Sequence, residues 1–297
     1  MIRLSIGMHS YLNFRVVIGT LIPCSEDPSP PWFANDVQDF QMVEGSHNIG
    51  GKRLTAHKYK SIMINVPMYL QHLQSRALAL GARTLRVTLP TSSTLAGTLR
   101  HTAELIKHSN LGRNGSIDAF VNATGLGART LVPDQNIFPV RGQTVTVKGE
   151  AKNITTVDAT PDNPSPESPN ITYVLPRPHS NTTILGGTKQ VGIWNGDVNP
   201  KTTKEILERA KDFAPELLNA QGEFEVISEQ VGLRPARKGG ARIEVEEVRL
   251  PGVTTGDAVV VCHAYGHAGA GYQNSIGSAD KVVNLLNEHF IGSRSKL

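Results

Sequence analysis

The feature that most constrains this chain is a run of small residues, "HAYGHAGAGYQNS" (263–275), placed between two regular patterns. The apolar run "AVVVCH" before it predicts a buried strand, and the amphipathic "SADKVVNLLNEHF" after it predicts a helix. In this layout, backbone N–H groups and a helix N-terminus can approach an anion or a flat ring. Larger side chains would hold such a ligand away. The run is therefore either a ligand-contacting turn or only a tight connection.

The two histidines of this run do not form a zinc motif. His263 and His267 are four residues apart, but the segment is too rich in glycine for a helix and has no glutamate between them. The chain's two cysteines, Cys24 and Cys262, are too few for a metal knuckle or a disulfide framework. We therefore predict no metal site.

The first half of the chain has an α/β pattern. "SIDAFVNATGLGART" (116–130) reads as a buried parallel strand that ends at a ligand-facing glycine turn. Helices are predicted over 66–80, which Asn65 caps, and 93–108, with a short strand over 83–89 between them. The inward face of the first helix is expected to comprise Val66, Leu70, Leu73, Ala77 and Leu80.

From residue 140 the pattern changes to short alternating runs, which predict antiparallel strands. These runs are "TVTVK", "ITYVLP", "TTILGG", "FEVISEQ" and "RIEVEEV". One helix interrupts them over 202–214, with Ile206, Leu207, Ala210 and Phe213 on one face. In the last helix we expect Ala279, Val282, Val283, Leu286 and Phe290 to point inward. The fold class is thus α/β plus α+β.

Composition and the C-terminus narrow the partners. The net charge is +4, but the basic residues are scattered, so we predict no nucleic-acid partner. No apolar run reaches the roughly 18 residues of a membrane span. The chain ends in Ser295, Lys296 and Leu297, the tripeptide that the peroxisomal import receptor reads. We therefore predict import into the peroxisomal matrix.

Three further side chains are candidates for binding. Arg234 precedes Pro235, which favours extended backbone and fixes the direction of a guanidinium suited to a carboxylate. Tyr173 lies within a predicted strand, so its ring faces either the core or a pocket. Lys189 follows two glycines at a strand end, where most lysines are simply exposed.

Several motifs together resemble the peroxisomal D-amino-acid oxidase family, which includes the D-aspartate oxidases. The resemblance covers about residues 31–297 and rests on "VNATGLGA", "RGQTVTV", "TYVLPRP", "LGGTKQVGIWN", "VGLRPAR" and "HAYGHAGAGYQNSIGSA", in this order, followed by the terminal Ser-Lys-Leu. It implies an FAD enzyme that passes the α-hydrogen of a D-amino acid to the flavin as hydride. Molecular oxygen then gives hydrogen peroxide, and the imino acid hydrolyses to a 2-oxo acid and ammonia.

The resemblance also implies an organisation into domains. Residues 1–30 are atypical. Residues 31–140 and 251–297 would form the remainder of an incomplete, Rossmann-like FAD-binding domain, with 31–65 interleaved with the other domain. Residues 141–250 would form a mostly antiparallel substrate-binding domain.

The resemblance implies roles only for those positions of this chain that match the family's motifs. Arg234 resembles the arginine that pairs with the substrate α-carboxylate, and Tyr173 the tyrosine that assists it. Gly269 would lie close to both substrate and flavin. Catalysis would consist of orienting the Cα–H bond over the flavin. The implied cofactor contacts are Leu89, Thr124, Gly125, Gln143, Ala268, Gly269, Ala270, Gly271, Tyr272 and Gln273.

Two departures from the family pattern matter. Lys189 stands where yeast-type D-amino-acid oxidases carry an aromatic residue, and a cation there would favour D-aspartate or D-glutamate by about 1–3 kcal/mol. Acidic and neutral D-amino acids both remain open. The family's G-x-G-x-x-G turn for the FAD diphosphate is also missing, since residues 1–30 contain only Gly7 and Gly19. The alternative is therefore a truncated, non-catalytic homologue that does not retain FAD.

Overall fold

A computed structural model describes residues 14–23, 29–49, 52–90, 92–109, 117–158, 171–250 and 258–294. The tripeptide Ser295–Leu297 lies outside the described residues. The chain divides into two compact units. The first unit comprises Met1–Ala82 and Arg141–Gly232, and the second comprises Arg83–Val140 and Leu233–Leu297.

The described residues form twelve strands and five α-helices. The strands are β1 (Phe14–Pro23), β2 (Gln38–Ile49), β3 (Lys52–Ile64), β4 (Ala119–Asn122), β5 (Ile137–Lys148), β6 (Ile154–Asp158), β7 (Ile171–Arg177), β8 (Thr182–Gly186), β9 (Gln190–Val191), β10 (Val226–Arg237), β11 (Arg242–Arg249) and β12 (Ala258–Tyr265). The helices are α1 (Val66–Ala79), α2 (Leu95–His108), α3 (Ala128–Leu131), α4 (Pro200–Ala210) and α5 (Ser275–Arg294).

The first unit is built on a large mixed sheet. The strand order is β10-β5-β8-β7-β6-β1-β3-β2, and β9 pairs with β5. β1 and β6 run parallel, whereas β7 is antiparallel to both β6 and β8. On one face, Ile206 and Ala210 of α4 pack against a buried core that includes Val145, Val174 and Leu185. Because side chains alternate along a strand, Tyr173 lies on the sheet face opposite Val174 and α4.

The second unit contains a three-stranded sheet in the order β11-β12-β4. β12 is antiparallel to β11 and parallel to β4, with His263 in register with Asn122. Leu99 of α2 packs against Val248 and Val261 on this sheet. Thr94 caps the N-terminus of α2, and its side chain accepts a hydrogen bond from the backbone N–H of Gly97. The parallel pair brings the ends of β4 and β12 to the same edge of the sheet.

Most predicted elements are confirmed, but three predictions of local structure are wrong. Residues 82–90, which include the expected strand over 83–89, form no strand in the described structure. An isolated run of β-forming residues is not a strand until a neighbour accepts its ladder of backbone hydrogen bonds. The helix over 66–80 is present as α1, but none of its residues is buried. Asn65 precedes α1 without a side-chain capping bond and donates to the carbonyl of Pro178 instead.

The last helix is present, but its predicted inward face is only partly correct. Val282 is buried and Leu286 half-buried, whereas Ala279, Val283 and Phe290 are exposed. For α4 the predicted face is confirmed, since Ile206 and Ala210 are fully buried. No helix of the described residues is long and apolar enough to cross a membrane.

The boundaries of the two units differ from the domain boundaries expected from the resemblance. The second unit resumes at Leu233 rather than at the expected residue 251, and β11 belongs to it because β11 pairs with β12. β2 and β3 belong to the first unit, where β3 pairs with β1.

Candidate active site

The C-terminal end of β10 lies against two turns of small residues in the second unit. A Cβ atom added to Gly269 would lie 3.7 Å from Cδ of Arg234. A Cβ atom added to Gly125 would lie 3.6 Å from Cγ of Pro235. Arg234 is half-buried, and the neighbouring Ala236 pairs with His267 in an isolated β-bridge. The structure thus brings together Arg234, Gly125 and Gly269, which the resemblance had assigned to one site.

The turn at Ala268–Ala270 presents backbone rather than side chains. Ala268 has a φ of +52°, a region that side-chain-bearing residues seldom adopt, and both Ala268 and Gly269 are exposed. A Cβ atom added to Gly271 would meet no other atom within 4 Å. The imidazole of His267 connects this turn to α5 through Ser278 Oγ at 3.0 Å. The turn thus presents an exposed surface of backbone and small side chains.

The rest of this loop is also open. Tyr272 is 46% exposed, and Gln273 is exposed as well. The backbone N–H of Asn274 donates to the carbonyl of Ala270, so the loop closes on itself before α5 begins. The side chains of Tyr272 and Gln273 are therefore accessible to a ligand.

The second turn follows β4 and is held by Asn122. The side-chain oxygen of Asn122 accepts hydrogen bonds from Thr124 N at 3.2 Å and Thr124 Oγ1 at 2.7 Å. Gly125 follows with a φ of +58°, which glycine adopts without strain. Thr124 is exposed, and this turn lies at the same sheet edge as the end of β12. Thr124 and Gly125 are therefore accessible to a ligand at the carboxyl ends of parallel strands.

The fully buried imidazole of His263 fixes the orientation of Asn122. Because the Asn122 oxygen is occupied by Thr124, its Nδ2 faces His263 Nδ1 at 3.1 Å and donates to it. Nδ1 is then an acceptor, so the proton of the neutral ring is on Nε2, which lies 3.1 Å from Glu246 Oε2. Burial, together with the positive charge of Arg242, lowers the pKa of His263. The ring is thus held neutral, in one tautomer.

The chain of polar contacts continues from Glu246 across the sheet. Arg242 bonds Glu246 Oε2 at 2.9 Å and Tyr265 Oη at 3.1 Å. The Tyr265 hydroxyl donates to Asp134 Oδ2 at 2.9 Å, and Arg237 Nε bonds the same oxygen at 2.8 Å. Burial would raise the pKa of Asp134, but hydrogen bonds from Arg237, from a backbone N–H and from Tyr265 outweigh it and lower the pKa.

This chain, which we call the buried polar network, was missed by sequence reasoning. It comprises Asn122, His263, Glu246, Arg242, Tyr265, Asp134 and Arg237. Arg237 is half-buried and paired with Asp134. The one sequence feature that distinguished His263 was its position as a polar residue at the end of a predicted apolar strand. The network connects the Thr124–Gly125 turn with the end of β10.

The remaining predicted residues are placed differently. Tyr173 is half-buried on β7, and Lys189 is exposed. Leu89 is half-buried in the segment without regular secondary structure that follows α1. Tyr173 and Lys189 belong to the first unit, whereas Leu89 belongs to the second.

Gln143 does not offer its side chain to a ligand. It is fully buried in the first unit. Its oxygen accepts from Arg141 Nη2 and Asn199 N, and its nitrogen donates to Asn199 O and Thr203 Oγ1. All four hydrogen-bonding positions of the amide are therefore used in connecting β5 to the start of α4. The assignment of this side chain to the cofactor is corrected to a structural role.

Comparison with known proteins identifies a family for this chain. The family model described as FAD dependent oxidoreductase (DAO) matches residues 55–285. A D-amino-acid oxidase of Fusarium vanettenii is 34% identical over 271 residues, covering 90% of this chain and 68% of that protein. One from Schizosaccharomyces pombe is 32% identical, covering 84% of this chain and 65% of that protein. The chain thus spans about two thirds of the length of these relatives.

Solved structures show the same fold at low sequence identity. Glycine oxidase from Bacillus cereus superposes with a TM-score of 0.61 at 15% identity, covering 93% of this chain and 74% of that one. L-proline dehydrogenase from P. horikoshii gives a TM-score of 0.59 at 12% identity, covering 95% and 74%. The chain therefore shares the fold of these two proteins. Taken with the family match and the identities above, the chain belongs to the D-amino-acid oxidase family of FAD-dependent oxidoreductases.

Proposed function

We propose that this protein catalyses oxidative deamination of D-amino acids to 2-oxo acids, with release of ammonia and hydrogen peroxide. The observation that carries the proposal is the packing of the Arg234 side chain against Gly269, in a chain whose relatives are D-amino-acid oxidases. Because Gly269 has no side chain, Arg234 can lie close to this turn, where its guanidinium would hold the carboxylate of an amino acid.

Arg234 would bind the substrate α-carboxylate. Its guanidinium is planar and can donate two parallel hydrogen bonds to one carboxylate, each worth about 1.5–3 kcal/mol. Pro235, which packs beside Gly125, fixes the backbone from which Arg234 projects. The family resemblance assigns to the Tyr173 hydroxyl a hydrogen bond with the substrate carboxylate. These groups orient the Cα–H bond. Direct transfer of the α-hydrogen to the flavin as hydride would require no acid or base of the protein.

The backbone of the two small-residue turns would hold the flavin. Ala268–Gln273 would lie along the ring, and Thr124 and Gly125 would contact it from the second turn. Bound FAD would supply the two-electron acceptor for the α-hydrogen and would be reoxidised by molecular oxygen. The chain's own contribution is to fix these turns through His267, Ser278, Asn122 and the buried polar network.

The substrate side chain is proposed to be recognised in part by Lys189. Its exposed ammonium follows the buried Thr188 in the first unit. A cation beside the substrate side chain favours acidic D-amino acids. Because solvent screens an exposed cation, this preference would be small, and neutral D-amino acids would then also be substrates. We therefore propose that activity be measured with both acidic and neutral D-amino acids.

We also propose import into the peroxisomal matrix through the terminal Ser295-Lys296-Leu297, which an import receptor would bind. An amino-terminal fluorescent fusion is expected to co-localise with a peroxisomal marker. The same fusion lacking Leu297 is expected to remain outside peroxisomes, and identical distributions of the two would contradict the proposal.

The decisive experiment measures flavin content, oxygen consumption and hydrogen peroxide with D- and L-amino acids. We expect turnover of D-amino acids only, and a loss of at least about 100-fold in kcat/KM for Arg234→Ala, since two charge-assisted bonds are removed. Arg249→Ala, which removes an exposed arginine of the same unit, is the matched control. A folded protein without flavin or turnover would support the alternative of a non-catalytic homologue.

A further inference from the structure

Two consecutive glycines lie where the ring of Tyr173 packs. Tyr173 on β7 is directly opposite Gly186 on β8. A Cβ atom added to Gly186 would overlap Cε2 and Cζ of the Tyr173 ring. A Cβ atom added to Gly187 would lie 2.6 Å from the Tyr173 hydroxyl oxygen and 2.9 Å from Cζ. The ring therefore lies directly on the backbone of both glycines, with its hydroxyl end at Gly187.

The second glycine is held from two sides. Its N–H donates to the carbonyl of Ile171 on β7 at 2.8 Å. Its carbonyl accepts from Arg209 Nη2 of α4 at 3.3 Å, and Arg209 Nε bonds Thr172 Oγ1 at 3.1 Å. Arg209 thus connects α4 to Thr172, which precedes Tyr173 on β7, and to Gly187, on which the Tyr173 ring lies. It does so from the sheet face opposite the ring.

We propose that Gly186 and Gly187 form a slot that sets the position of the Tyr173 hydroxyl, and that Arg209 is a positioning residue for this slot. The substrate role of Tyr173 rests on the proposed function, whereas the slot itself rests on the packing just described. Glycine is required because the slot is filled by the ring. With two side-chain torsions restricted in this way, the hydroxyl oxygen is held in one position, from which its O–H group can turn toward a carboxylate.

Gly186 is the sharper position for a test. An added methyl group there meets the ring of Tyr173. At Gly187 an added methyl group also lies 3.0 Å from the backbone oxygen of Gln143, so that variant would disturb β5 as well. Gly196 is the matched control, because a Cβ atom there meets nothing within 4 Å.

The first experiment is a double-mutant cycle on stability with Gly186→Ala and Tyr173→Ala. We expect Gly186→Ala to lower the unfolding midpoint strongly in the Tyr173 protein and only weakly in the Tyr173→Ala protein, because the smaller residue leaves the slot empty. Equal losses in both backgrounds would overturn the slot. If Gly186→Ala alone does not fold, recovery of folded protein in the double variant supports the slot, and failure of the double variant contradicts it.

The second experiment measures steady-state kinetics of the flavin-loaded enzyme with D-alanine. Arg209→Gln is expected to raise KM several-fold with an unchanged flavin spectrum, while Gly196→Ala leaves KM unchanged. In the Tyr173→Phe background the same Arg209 substitution is expected to have no effect on KM, since the hydroxyl that it positions is gone. An equal effect in both backgrounds would show that Arg209 does not act through Tyr173.

The two proposals fail separately. If Tyr173→Phe leaves KM unchanged, the carboxylate role proposed for Tyr173 is wrong, and the positioning role of Arg209 fails with it. The stability cycle then still decides whether the glycine pair accommodates the ring. If the cycle is additive, the slot is wrong whatever the kinetics show.

Discussion

Nδ1 of His263 accepts a hydrogen bond from Nδ2 of Asn122 at 3.1 Å, between the paired ends of β12 and β4. The bond joins residues 141 positions apart in sequence. Asn122 uses its oxygen for Thr124, so an Nδ2–H group must point at the imidazole. A doubly protonated imidazole would place two donors face to face. The site turn at Thr124 therefore depends on a neutral His263.

The first prediction follows from this neutrality. The pKa of His263 is lowered below its usual value of about 6.5, so the unfolded chain binds the proton more readily than the folded one. His263 thus contributes stability above about pH 6.5, and that contribution is lost as the pH falls from there toward the lowered pKa. We expect the free energy of unfolding to fall in this window by up to about 1.4 kcal/mol per pH unit.

The measurement is urea unfolding as a function of pH for the wild type and His263→Gln. The difference between the two isolates His263 from Glu244, Glu246 and Arg242, which face it, and from other buried histidines such as His57. His108→Gln, an exposed histidine, is the control. A His263→Gln protein with the same pH slope as the wild type would show that His263 does not titrate as described.

The second prediction concerns Asn122. Replacement by leucine removes the acceptor for Thr124 and the donor for His263, and leaves a buried imidazole nitrogen unsatisfied. We expect a loss of about 1–3 kcal/mol in unfolding free energy. Because the Thr124 turn loosens, a weaker FAD affinity of the loaded enzyme is also expected. Asn153→Leu, at an exposed position, should change neither quantity. An Asn122→Leu protein with unchanged FAD affinity would separate this turn from the flavin.

The comparison of α1 with α4 shows what the sequence could and could not predict. Both carry apolar residues at helical spacing, and both are helices, because spacing and end signals act locally. Only in α4 does the stripe meet a core, formed by residues from several strands. In α1 Leu70 and Leu73 are exposed. Burial depends on distant segments, which a local pattern does not describe.

The candidate site likewise has a part that the sequence could predict and a part that it could not. Small residues at Gly125 and Gly269, and the extended backbone at Arg234, could be predicted because each acts through its own conformation. The buried polar network could not, because its members meet only through strand pairing. β2 and β3 were missed for a related reason: "QDFQMVEGSHNI" and "KRLTAHKYKSIMI" alternate poorly, and their pairing with each other makes them strands.

The third prediction tests the other end of the network. Asp134, whose carboxylate accepts from Arg237 and Tyr265, is nearly buried. Asp134→Asn keeps the shape but removes the charge opposite Arg237. We expect a loss of about 3–5 kcal/mol, as for other broken buried pairs. Asp212→Asn, at an exposed carboxylate, is the control for chemical denaturation. A loss no larger than that of the control would show that the pair contributes nothing to stability.

The fourth prediction separates backbone strain from steric contact at Gly266. Gly266 and Gly240 have φ values of +88° and +89°, but a Cβ atom on Gly266 would lie 2.8 Å from Cβ of Arg237, whereas one on Gly240 meets nothing within 4 Å. Alanine at either position costs about 1–2 kcal/mol for the left-handed conformation. We expect Gly266→Ala to lose clearly more stability than Gly240→Ala. Equal losses would mean that Arg237 moves aside freely.

The last prediction concerns substrate choice and Lys189. If its ammonium faces the substrate side chain, Lys189→Met should lower kcat/KM for D-aspartate relative to D-alanine. A partly desolvated ion pair corresponds to about 1–3 kcal/mol, or roughly a 5- to 150-fold change in the ratio. Lys189→Arg retains the charge and should retain the preference, while Lys204→Met removes an exposed lysine elsewhere in the unit. Because exposed charges are screened, the effect should shrink as salt is added. A ratio that does not move in Lys189→Met would assign Lys189 to solvent and leave neutral D-amino acids as the favoured substrates.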